Sequence, residues 1–392
     1  MDEFASEAIG VFPTPDPDPF DIARGRVGDP VPFGVEEEFV LLDPDTLHPV
    51  ASGPAVLARM HAAGFARATS ELLASQVESA TGICRTGDEA WLELAAFRRS
   101  LLAAAAAEGL IPAPTGTPFA ALHGPEVSKS PRYQRMSADI GAIVDDHQVC
   151  GLHVHVGVDA PEDRVRVLNA MRPWMPLLTA LAANSPFWRG ADTGFASWRT
   201  IVMRRWTTAG VPGAFADAAD YDRRIRDLVG LGATRDRAAV AWMMRISHHL
   251  PTVELRFGDA QLHPDDAIAI ALLCRAIATA ILADPRGPVG RHGSVDASMR
   301  AAPVEVVSAA VWAAAHEGHS ALVPDPIRGG LASVPAVVAN LLDAIDAERT
   351  CRDALAELLA RGAGAERQRA AFARDDVAGL ARLYRELGDT MP

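Results

Sequence analysis

Three short segments of this chain carry acidic, imidazole or guanidinium side chains at alternate positions of what the pattern predicts to be β-strands. They are GVEEEF with Glu36 and Glu38, CGLHVHVGV with His153 and His155, and TVELRF with Glu254 and Arg256. Successive residues of a strand point to opposite faces of a sheet, so each pair shares one face while mostly apolar residues take the other. Such a polar face suits divalent cations and a phosphate-rich ligand better than simple packing. The pattern indicates an enzyme.

The charge balance narrows the class of partner. With 37 Lys and Arg residues against 50 Asp and Glu, the formal net charge is −13. Nucleic acid or an anionic membrane is disfavoured, because binding to either needs an extended positive surface. A local cluster of arginines and metal ions can still hold ATP. We therefore expect small-molecule partners, no nucleic acid and no membrane.

Cysteine usage and the first residues favour the cytoplasm. The four cysteines are widely spaced with no CxxC pair, so we expect them to stay reduced. The N-terminal residues lack the basic and apolar regions of a signal peptide. The most apolar stretch, residues 267–283, contains Arg275 and falls short of a transmembrane span. It therefore predicts a buried helix.

The chain is predicted to form one domain of α+β type. Residues 1–30, with the run PTPDPDP, are expected to be a flexible Pro-rich leader, and residues 31–390 a single catalytic domain. We expect an antiparallel sheet that carries the site on one face and helices that cover the other. The Ala-rich helices of the C-terminal third leave homo-oligomerisation open.

Turn and capping signals predict the element boundaries. The pattern predicts strands over 31–42 and 71–81, and a helix that Asp88 caps and that ends near Glu108. Residues 111–136 are rich in Gly and Pro and are expected to form a long functional loop. Further helices are expected over 161–184, with Asp159 as the cap, and over 214–230, 264–284, 301–315, 333–360 and 365–387.

The carboxylates of the first segment are candidate metal ligands. A run of three glutamates is often a solvated edge strand, but this run lies within an apolar strand directly after Gly34. Glu36 and Glu38 would then share one pocket, and like charges so close need a cation to neutralise them. Mg²⁺ prefers oxygen ligands and bridges nucleotide phosphates. Gln76 and Glu78 extend this oxygen-rich surface from the neighbouring strand.

The two histidines of the second segment admit several interpretations. An HxH pair is by itself a weak metal signal, because core histidines that bond backbone groups are as common. A zinc hydrolase is a further alternative, but Cys150 falls on the opposite strand face and does not complete a zinc set. With hard carboxylates nearby, we expect His153 to contact phosphate or a metal and His155 to line the same face. The histidines in HHL and HEGH are expected at the surface or at helix ends.

Glu254 and Arg256 place a base and a cation side by side, either as a surface ion pair or as part of a site. Arg256 together with Arg199 and Arg245 would bind a γ-phosphate or a substrate carboxylate, since a guanidinium matches both with two parallel hydrogen bonds. The chain contains no Walker A motif and no GxGxxG, so a P-loop or a dinucleotide site is not expected.

Four motifs in order carry a resemblance to a known family. GVEEEFVLLDP, CGLHVHVGV, NSPFWRGADTGFASWR and PTVELRFGDAQ together resemble the bacterial carboxylate–amine ligases known as glutamate–cysteine ligase type 2. The match extends from about Phe33 to Arg275, with GAGAERQR at 362–369 as a further trace. The resemblance implies the glutamine-synthetase-like fold. In that fold an antiparallel sheet forms a funnel-shaped active site for ATP, two or more Mg²⁺ or Mn²⁺ ions and an amino-acid substrate.

The resemblance also implies a reaction and residue roles. A substrate carboxylate, in the family the γ-carboxylate of glutamate, takes the γ-phosphate of ATP to give an acyl phosphate. An amine, cysteine's in the family, then displaces phosphate to form an amide. The implied metal ligands are Glu36, Glu38, Glu78 and Glu254. The implied catalytic residues are Glu254, Arg256 and Arg199; the implied cofactor- or substrate-side contacts are His153, His155, Arg245 and Gln76, with Thr193 and Gly194 in a substrate-side loop.

One segment departs from the family pattern. Around 309–318 the chain reads AAVWAAAHEGH, which keeps Trp312 and Gly318 but places Ala313 and His316 where arginines are usual. Such losses would alter substrate choice or weaken activity. Two alternatives to the ligase therefore stay open: a phosphotransferase that acts on a guanidino or amine acceptor, and an impaired homologue that only binds nucleotide or an amino acid.

Overall fold

The computed structural model describes residues 30–121, 123–283 and 302–386. The predicted leader over residues 1–30 lies, apart from Pro30, outside the described residues. The strands are β1 (Phe33–Leu42), β2 (Ala68–Ser70), β3 (Gln76–Ala80), β4 (Ile111–Ala113), β5 (Gly151–Gly157), β6 (Phe187–Trp188), β7 (Ala191–Asp192), β8 (Met244–Ile246), β9 (Thr252–Asp259), β10 (Leu322–Pro324) and β11 (Leu331–Ser333). The helices are α1 (Gly53–Ala62), α2 (Gly87–Ala107), α3 (Pro131–Ile140), α4 (Pro161–Met171), α5 (Met175–Leu181), α6 (Trp198–Met203), α7 (Ala218–Gly230), α8 (Pro264–Ala283), α9 (Val304–Glu317), α10 (Val334–Ala344), α11 (Arg349–Arg361) and α12 (Gly364–Glu386).

One antiparallel sheet organises the described part of the chain. Its strands run in the order β2-β3-β1-β5-β9-β8, with β4 paired to the end of β1. The long strands β1, β5 and β9 lie side by side at its centre. Two small hairpins, β6–β7 and β10–β11, lie apart from it. The α+β architecture with an antiparallel sheet is confirmed.

The cross-strand register brings the predicted polar residues together. The directly paired residues are Glu36 with His153, Glu38 with Glu78, His155 with Glu254, and Glu254 with Arg245. Paired residues point to the same face of an antiparallel sheet. All seven side chains of these pairs therefore share one face, as the alternation in the sequence predicts.

The opposite face of the sheet packs on helices and forms the main core. Val154 and Leu255 are fully buried there, in one apolar cluster with residues of α5 and α8. By length and composition α8 could cross a membrane, yet most of it is buried inside the protein. Its Arg275 donates to the Arg85 carbonyl at 2.6 Å and to Glu348 at 2.9 Å. Thus α8 is the buried helix that the sequence predicts.

A buried ion pair interrupts the apolar face of β1. Glu37 lies on that face and is fully buried, as is Arg98 of α2. Arg98 Nε donates to Glu37 Oε2 at 2.9 Å, and Nη2 donates to the other carboxylate oxygen. The remaining guanidinium protons reach the Gln261 and Leu262 carbonyls, each at 3.0 Å. The pair ties β1, α2 and the segment that follows β9 together at one point.

Two helix starts differ from the sequence expectation. Thr86, and not Asp88, caps α2: its hydroxyl accepts from the Glu89 amide at 3.2 Å, and the Glu89 carboxylate accepts from the Thr86 amide at 3.3 Å. This reciprocal capping box satisfies two free donors at once, and Asp88 lies in the first turn. The prediction that Asp159 caps the next helix is also wrong, because α4 begins after Ala160 with a proline in its first turn.

Two predicted helices are interrupted. The helix expected over 161–184 changes to a 3₁₀ turn at Arg172–Trp174, where Pro173 lacks the amide that a continuous helix needs. The helix expected over 333–360 is two helices, α10 and α11, and Asp346 between them has a positive φ of 48°.

The regions around β3 and β4 also differ. The strand expected over 71–81 is confined to β3, because residues 71–75 form a bend and a turn. The loop expected over 111–136 contains β4 and the first turn and a half of α3. The turn at 71–75 matters for the site, since it carries a glutamate that the alternating pattern does not single out.

Candidate active site

Glu36 lies at the centre of the polar face, between two histidines of β5. Its Oε2 is 2.9 Å from His153 Nδ1, and its Oε1 is 3.0 Å from His155 Nε2. Burial acts to raise the pKa of Glu36, but the neighbouring His155 and His153 hold it well below its usual range. Glu36 is thus a partly buried carboxylate that stays ionised.

One group of potential metal ligands forms around this carboxylate. Donor atoms of Glu36, His155 and Glu254 all lie within 4.8 Å of one another. The Nδ1 of His155 is bonded to Thr252 Oγ1 at 3.0 Å, which fixes the ring. Its Nε2 lies 3.0 Å from Glu36 Oε1. A ring that one hydrogen bond holds in place, with its second nitrogen directed at carboxylates, is a usual arrangement of a metal-binding histidine.

A second group of carboxylates lies beside the first and includes a residue that the sequence analysis missed. Burial and the neighbouring Glu71 raise the pKa of Glu38 to about 8. Burial, followed by Glu71, Glu36 and Glu38, raises the pKa of Glu78 well above its usual value. Glu71 also accepts a hydrogen bond from the Tyr133 hydroxyl at 2.8 Å. These carboxylates repel one another, and a cation between them would relieve the repulsion.

Glu254 is held from two sides by arginines. It accepts hydrogen bonds from Arg245 Nε at 2.7 Å and Nη2 at 3.0 Å, and a further one from Arg256 Nη1. Burial acts to raise its pKa, but the two guanidiniums lower it strongly. Glu254 is 3% exposed, so the surface-ion-pair interpretation does not hold.

Arg245 and Arg256 differ in which of their hydrogen-bond donors have partners in the protein. Arg245 Nη1 also donates to the carbonyls of Ala238 and Val240, at 2.6 and 2.9 Å, so this guanidinium is almost fully used by the protein. Arg256 keeps a buried Nε without a partner among the described residues. Burial acts to lower the pKa of Arg256, but Glu254 beside it raises it. Arg256 is therefore a permanent cation with an open donor.

Arg199 reaches the same face from α6. Its Nη2 donates to the Arg256 carbonyl at 3.2 Å and its Nη1 to that of Phe257 at 3.4 Å, while its Nε has no partner among the described residues. A Cβ atom on Gly151 would lie 2.6 Å from Arg199 Nη2 and 3.0 Å from His153 Nε2. Only glycine lets the guanidinium and the imidazole converge at this point of β5.

Gln76 lies at the end of the face and is occupied by the protein. Its Nε2 donates to the Val149 carbonyl at 2.6 Å and to Cys150 Sγ at 3.4 Å, while its Oε1 accepts from the Leu73 amide at 3.1 Å. The amide therefore ties the 71–75 turn to the start of β5. A direct contact of Gln76 with ATP stays a prediction.

Asp259 is a second residue that the sequence analysis missed. It is buried at the end of β9, and burial raises its pKa. Its Oδ2 accepts from the Asn184 amide at 2.8 Å and the Ser185 hydroxyl at 2.7 Å, and its Oδ1 accepts from the Ser197 hydroxyl at 2.9 Å. Asp259 thus anchors both ends of the loop that leads into α6 and Arg199.

This loop packs on the segment that departs from the family pattern. Phe195 lies 5.3 Å from the Trp312 ring and 4.8 Å from the His316 ring, and these two rings stack on each other. Thr193 and Gly194 precede Phe195 at a partly exposed turn. His316 lies near the end of α9 beside Glu317, as expected for the HEGH histidines. The segment around 309–318 thus supports the loop through Trp312 and His316.

Comparison with known proteins connects this geometry to a family. A model of glutamate–cysteine ligase family 2 matches residues 32–386. The chain belongs to this family. A Saccharopolyspora erythraea relative named "Putative glutamate--cysteine ligase 2-1" is 39% identical over 367 residues, which covers 92% of each chain. A Frankia alni relative named as ligase 2-2 of the same kind is 38% identical over 373 residues, covering 88% of this chain and 95% of the relative.

Solved structures show the same fold at low sequence identity. Glutamate–cysteine ligase of Francisella tularensis, in complex with AMP, has a TM-score of 0.67 at 12% identity and covers 92% of this chain and 88% of its own. The bifunctional glutathione synthetase of Pasteurella multocida has a TM-score of 0.63 at 15% identity over 93% of this chain. The chain spans 53% of the length of that synthetase.

Family membership settles the class of reaction. This member of glutamate–cysteine ligase family 2 is an ATP-dependent carboxylate–amine ligase. The family in general uses ATP, a divalent metal ion and small-molecule substrates. The resemblance and the fold expected from the motifs are confirmed. The roles of the individual side chains stay predictions, and the geometry above is the basis for proposing them.

Proposed function

We propose that this ligase joins an amino-acid carboxylate, the γ-carboxylate of glutamate, to an amine, with cysteine as the reference acceptor, and that it uses Mg²⁺ or Mn²⁺. The names of its relatives support the two substrates. The observation that carries the proposal is the convergence of buried carboxylates, histidines and two partly free arginines on one sheet face. We propose the cytoplasm as its location, and the four free, buried cysteines fit that reducing environment.

The polar face fits hard divalent cations. Its donors are mainly carboxylate oxygens, which Mg²⁺ and Mn²⁺ prefer over the sulfur-rich sets typical of zinc. Glu36, His155 and Glu254 would hold one ion, and Glu38, Glu71 and Glu78 a second. Burial and the neighbouring Glu71 raise the pKa values of Glu38 and Glu78, as expected where carboxylates crowd together. Bound cations would supply charge neutralisation for the phosphates and the donor carboxylate.

The arginines are suited to the transferred phosphoryl group. Glu254 fixes Arg256 by a hydrogen bond to Nη1, and the protein fixes Arg199 through two carbonyls. Pre-positioned guanidiniums stabilise charge on equatorial phosphate oxygens without reorganising at the moment of reaction. Arg245 acts indirectly, because it holds both carboxylate oxygens of Glu254, which in turn fixes Arg256.

The proposed chemistry runs in two displacements. A donor carboxylate oxygen bonds to the γ-phosphorus as the bond to the bridging oxygen of ADP breaks. The acceptor nitrogen then bonds to the acyl carbon as the carbon–oxygen bond to phosphate breaks, and its proton leaves with the released phosphate. His153 donates from Nδ1 to the ionised Glu36, and because burial and Arg256 lower its pKa to about 4 the ring is neutral, so its Nε2 can accept a hydrogen bond or bind a cation. The protein thus contributes positioning and charge rather than a covalent intermediate.

Products identified by mass test this proposal. Purified protein with ATP, Mg²⁺ and glutamate is assayed for phosphate release, with cysteine or hydroxylamine as acceptor. We expect γ-glutamylcysteine with cysteine, and a γ-glutamyl hydroxamate when hydroxylamine captures the acyl phosphate. A stable phosphorylated acceptor without an amide would support the phosphotransferase. Tight ATP binding without turnover over a panel of amino acids and amines would support the impaired homologue.

A further inference from the structure

A cavity of about 270 Å³ opens beside the polar face. Arg199 and Arg256 line its inner end, next to His153 and Glu254. Its other walls come from α6, from the segment that follows α6, and from α9. The cavity therefore connects the place where the chemistry is proposed with a space that the mechanism above does not use.

The inner end of the cavity offers two unused hydrogen-bond donors. The Nε atoms of Arg199 and Arg256 are both buried and have no acceptor among the described residues. Buried polar atoms normally have a partner. A guanidinium with an open donor pairs well with a carboxylate, and the charge makes that bond a strong one. A ligand in the cavity is thus expected to carry a carboxylate at this end.

Beyond these two arginines, the lining combines apolar side chains with Thr200, Arg204, Thr207 and Ser308, and the described lining residues include no acidic group. The apolar lining residues are Met203, Trp206, Ala209, Val211, Met243, Phe257 and Val311. Of the lining residues within the described ranges, none is Asp or Glu. Glutamate, whose side chain ends in a carboxylate, would make poor use of the apolar part of the wall. An apolar cavity of about 150 Å³ already holds a benzene molecule, so this one has room for a large side chain.

We propose that this cavity is the acceptor subsite of the ligase, and that it takes an α-amino acid whose apolar side chain is larger than that of cysteine. The inference rests on the proposed function, since it names the amine that the ligase consumes. The acceptor carboxylate binds the Nε atoms of Arg199 and Arg256, while the Nη groups of these arginines serve the phosphoryl group in the proposed mechanism, and the side chain packs between Trp206 and Val311. The nearby guanidiniums disfavour an ammonium, which keeps the acceptor amine neutral for attack on the acyl carbon.

Size complementarity sets the expected preference. In enzymes one methylene in an apolar pocket changes the specificity constant by about 10- to 200-fold. A cysteine side chain would leave much of the wall without contacts. We therefore expect leucine, methionine or phenylalanine to exceed cysteine in kcat/KM by at least about tenfold. The decarboxylated amine of leucine, isoamylamine, should lose that advantage, because it has no group for the arginines.

The experiment separates this inference from the proposed function. Hydroxylamine as acceptor reports acyl phosphate formation without using the cavity. Kinetics with cysteine, leucine, methionine, phenylalanine and isoamylamine then report the acceptor subsite, and calorimetry with leucine, cysteine and isoamylamine reports binding independently of turnover. Hydroxamate formation with cysteine preferred over every apolar amino acid would overturn the inference and leave the ligase intact. Absence of hydroxamate would overturn the donor assignment, and calorimetry would still decide whether leucine binds better than cysteine and isoamylamine.

Two variants on α9 provide a matched pair. Ser308 lines the cavity, whereas its neighbour Ala309 is exposed. Ser308→Phe should fill the cavity and lower kcat/KM for leucine at least about tenfold, with hydroxamate formation within about twofold of wild type. Ala309→Phe should change neither. Ala209→Phe fills the cavity from the opposite wall and replaces Ser308→Phe if that variant does not fold. Unchanged leucine kinetics in a folded cavity-filling variant would contradict the assignment.

Discussion

Arg245 and Glu254 face each other across β8 and β9 and are joined by two hydrogen bonds of 2.7 and 3.0 Å. The pair is buried, and its two bonds use both carboxylate oxygens. A bidentate pair of this kind fixes the orientation of the carboxylate as well as its charge. Strand β8 thus serves the site although no atom of it needs to touch a substrate.

Arg245→Met should destabilise the protein by about 3 kcal/mol, because the buried Glu254 carboxylate then keeps only one of its two arginine partners. Urea unfolding of the protein without metal or nucleotide measures this. Arg237, which pairs with Asp222 at the surface, is the matched control, and Arg237→Met should cost less than about 1 kcal/mol. Equal losses of unfolding free energy in the two variants would show that the buried pair stabilises the protein no more than the surface pair does.

Glu36→Gln should lower kcat at least about 100-fold and change the free energy of unfolding by less than about 1 kcal/mol. The substitution keeps the size of the side chain and removes one negative charge from the proposed cation site. Turnover by phosphate release and stability by urea unfolding are measured on the same preparation. Glu305→Gln, at an exposed position of α9, should change neither. A Glu36→Gln protein that does not stay folded would show that Glu36 has a structural role instead.

The neighbouring Glu37, in contrast to Glu36, should matter for the free energy of unfolding rather than for turnover. Arg98→Met should destabilise the protein by about 3 to 5 kcal/mol, because Glu37 is then buried without a partner. Replacing both partners, Glu37→Leu with Arg98→Met, should recover most of that loss. A double-mutant cycle in urea measures the coupling. Additive losses would mean that the hydrogen bonds of Arg98 to the Gln261 and Leu262 carbonyls dominate.

Acid should weaken the fold through His147. Burial, helped by Arg205 and Arg199, lowers the pKa of His147 from its ordinary 6.5 to about 3, so the folded protein keeps it neutral. The unfolded chain binds a proton below pH 6.5 and the folded protein does not. Stability is therefore unaffected above that pH and falls between 6.5 and 3. At pH 5 the loss relative to pH 7.5 should be about 2 kcal/mol.

His147→Gln is the control for the pH dependence. The Trp206 indole donates to His147 Nδ1 at 3.3 Å, and a glutamine oxygen can accept in its place. The urea midpoint of the variant should fall less steeply with acid than that of the wild type. Identical slopes for the two proteins would show that other groups, and not this imidazole, set the acid sensitivity.

The sequence predicted the polar face because alternation is a local signal. Glu36, Glu38, His153, His155 and Glu254 follow a period of two along their strands, and that period alone predicts them on one side. Glu71 escaped the analysis because it lies in the bend between β2 and β3, where no period applies. The same limit explains Asp259, whose partners are about 60 to 75 residues away along the chain.

Other misses came from contacts that are distant in sequence. Glu37 fell on the face assigned to apolar residues, and only its partner Arg98, 61 residues away, explains a charge there. The contact of Arg245 with a ligand stays a prediction, and the sequence could not reveal its pairing with Glu254, because β8 is three residues long and offers no pattern. Helix caps failed for a simpler reason: Thr86 and Asp88 both suit the role, and the reciprocal bond with Glu89 decides between them.

The arrangement of β1 has a consequence for how such an enzyme can change. Consecutive residues of this strand serve opposite purposes, since one glutamate faces the chemistry and the next secures the architecture. Few substitutions in the strand are then tolerated, whichever side they touch. Arg256 and Phe257 of β9 line the inner end of the cavity, but most of its wall comes from α6, α9 and the segment after α6, which lie outside the central sheet. Related enzymes can therefore change their specificity for the amine while the reaction itself stays the same.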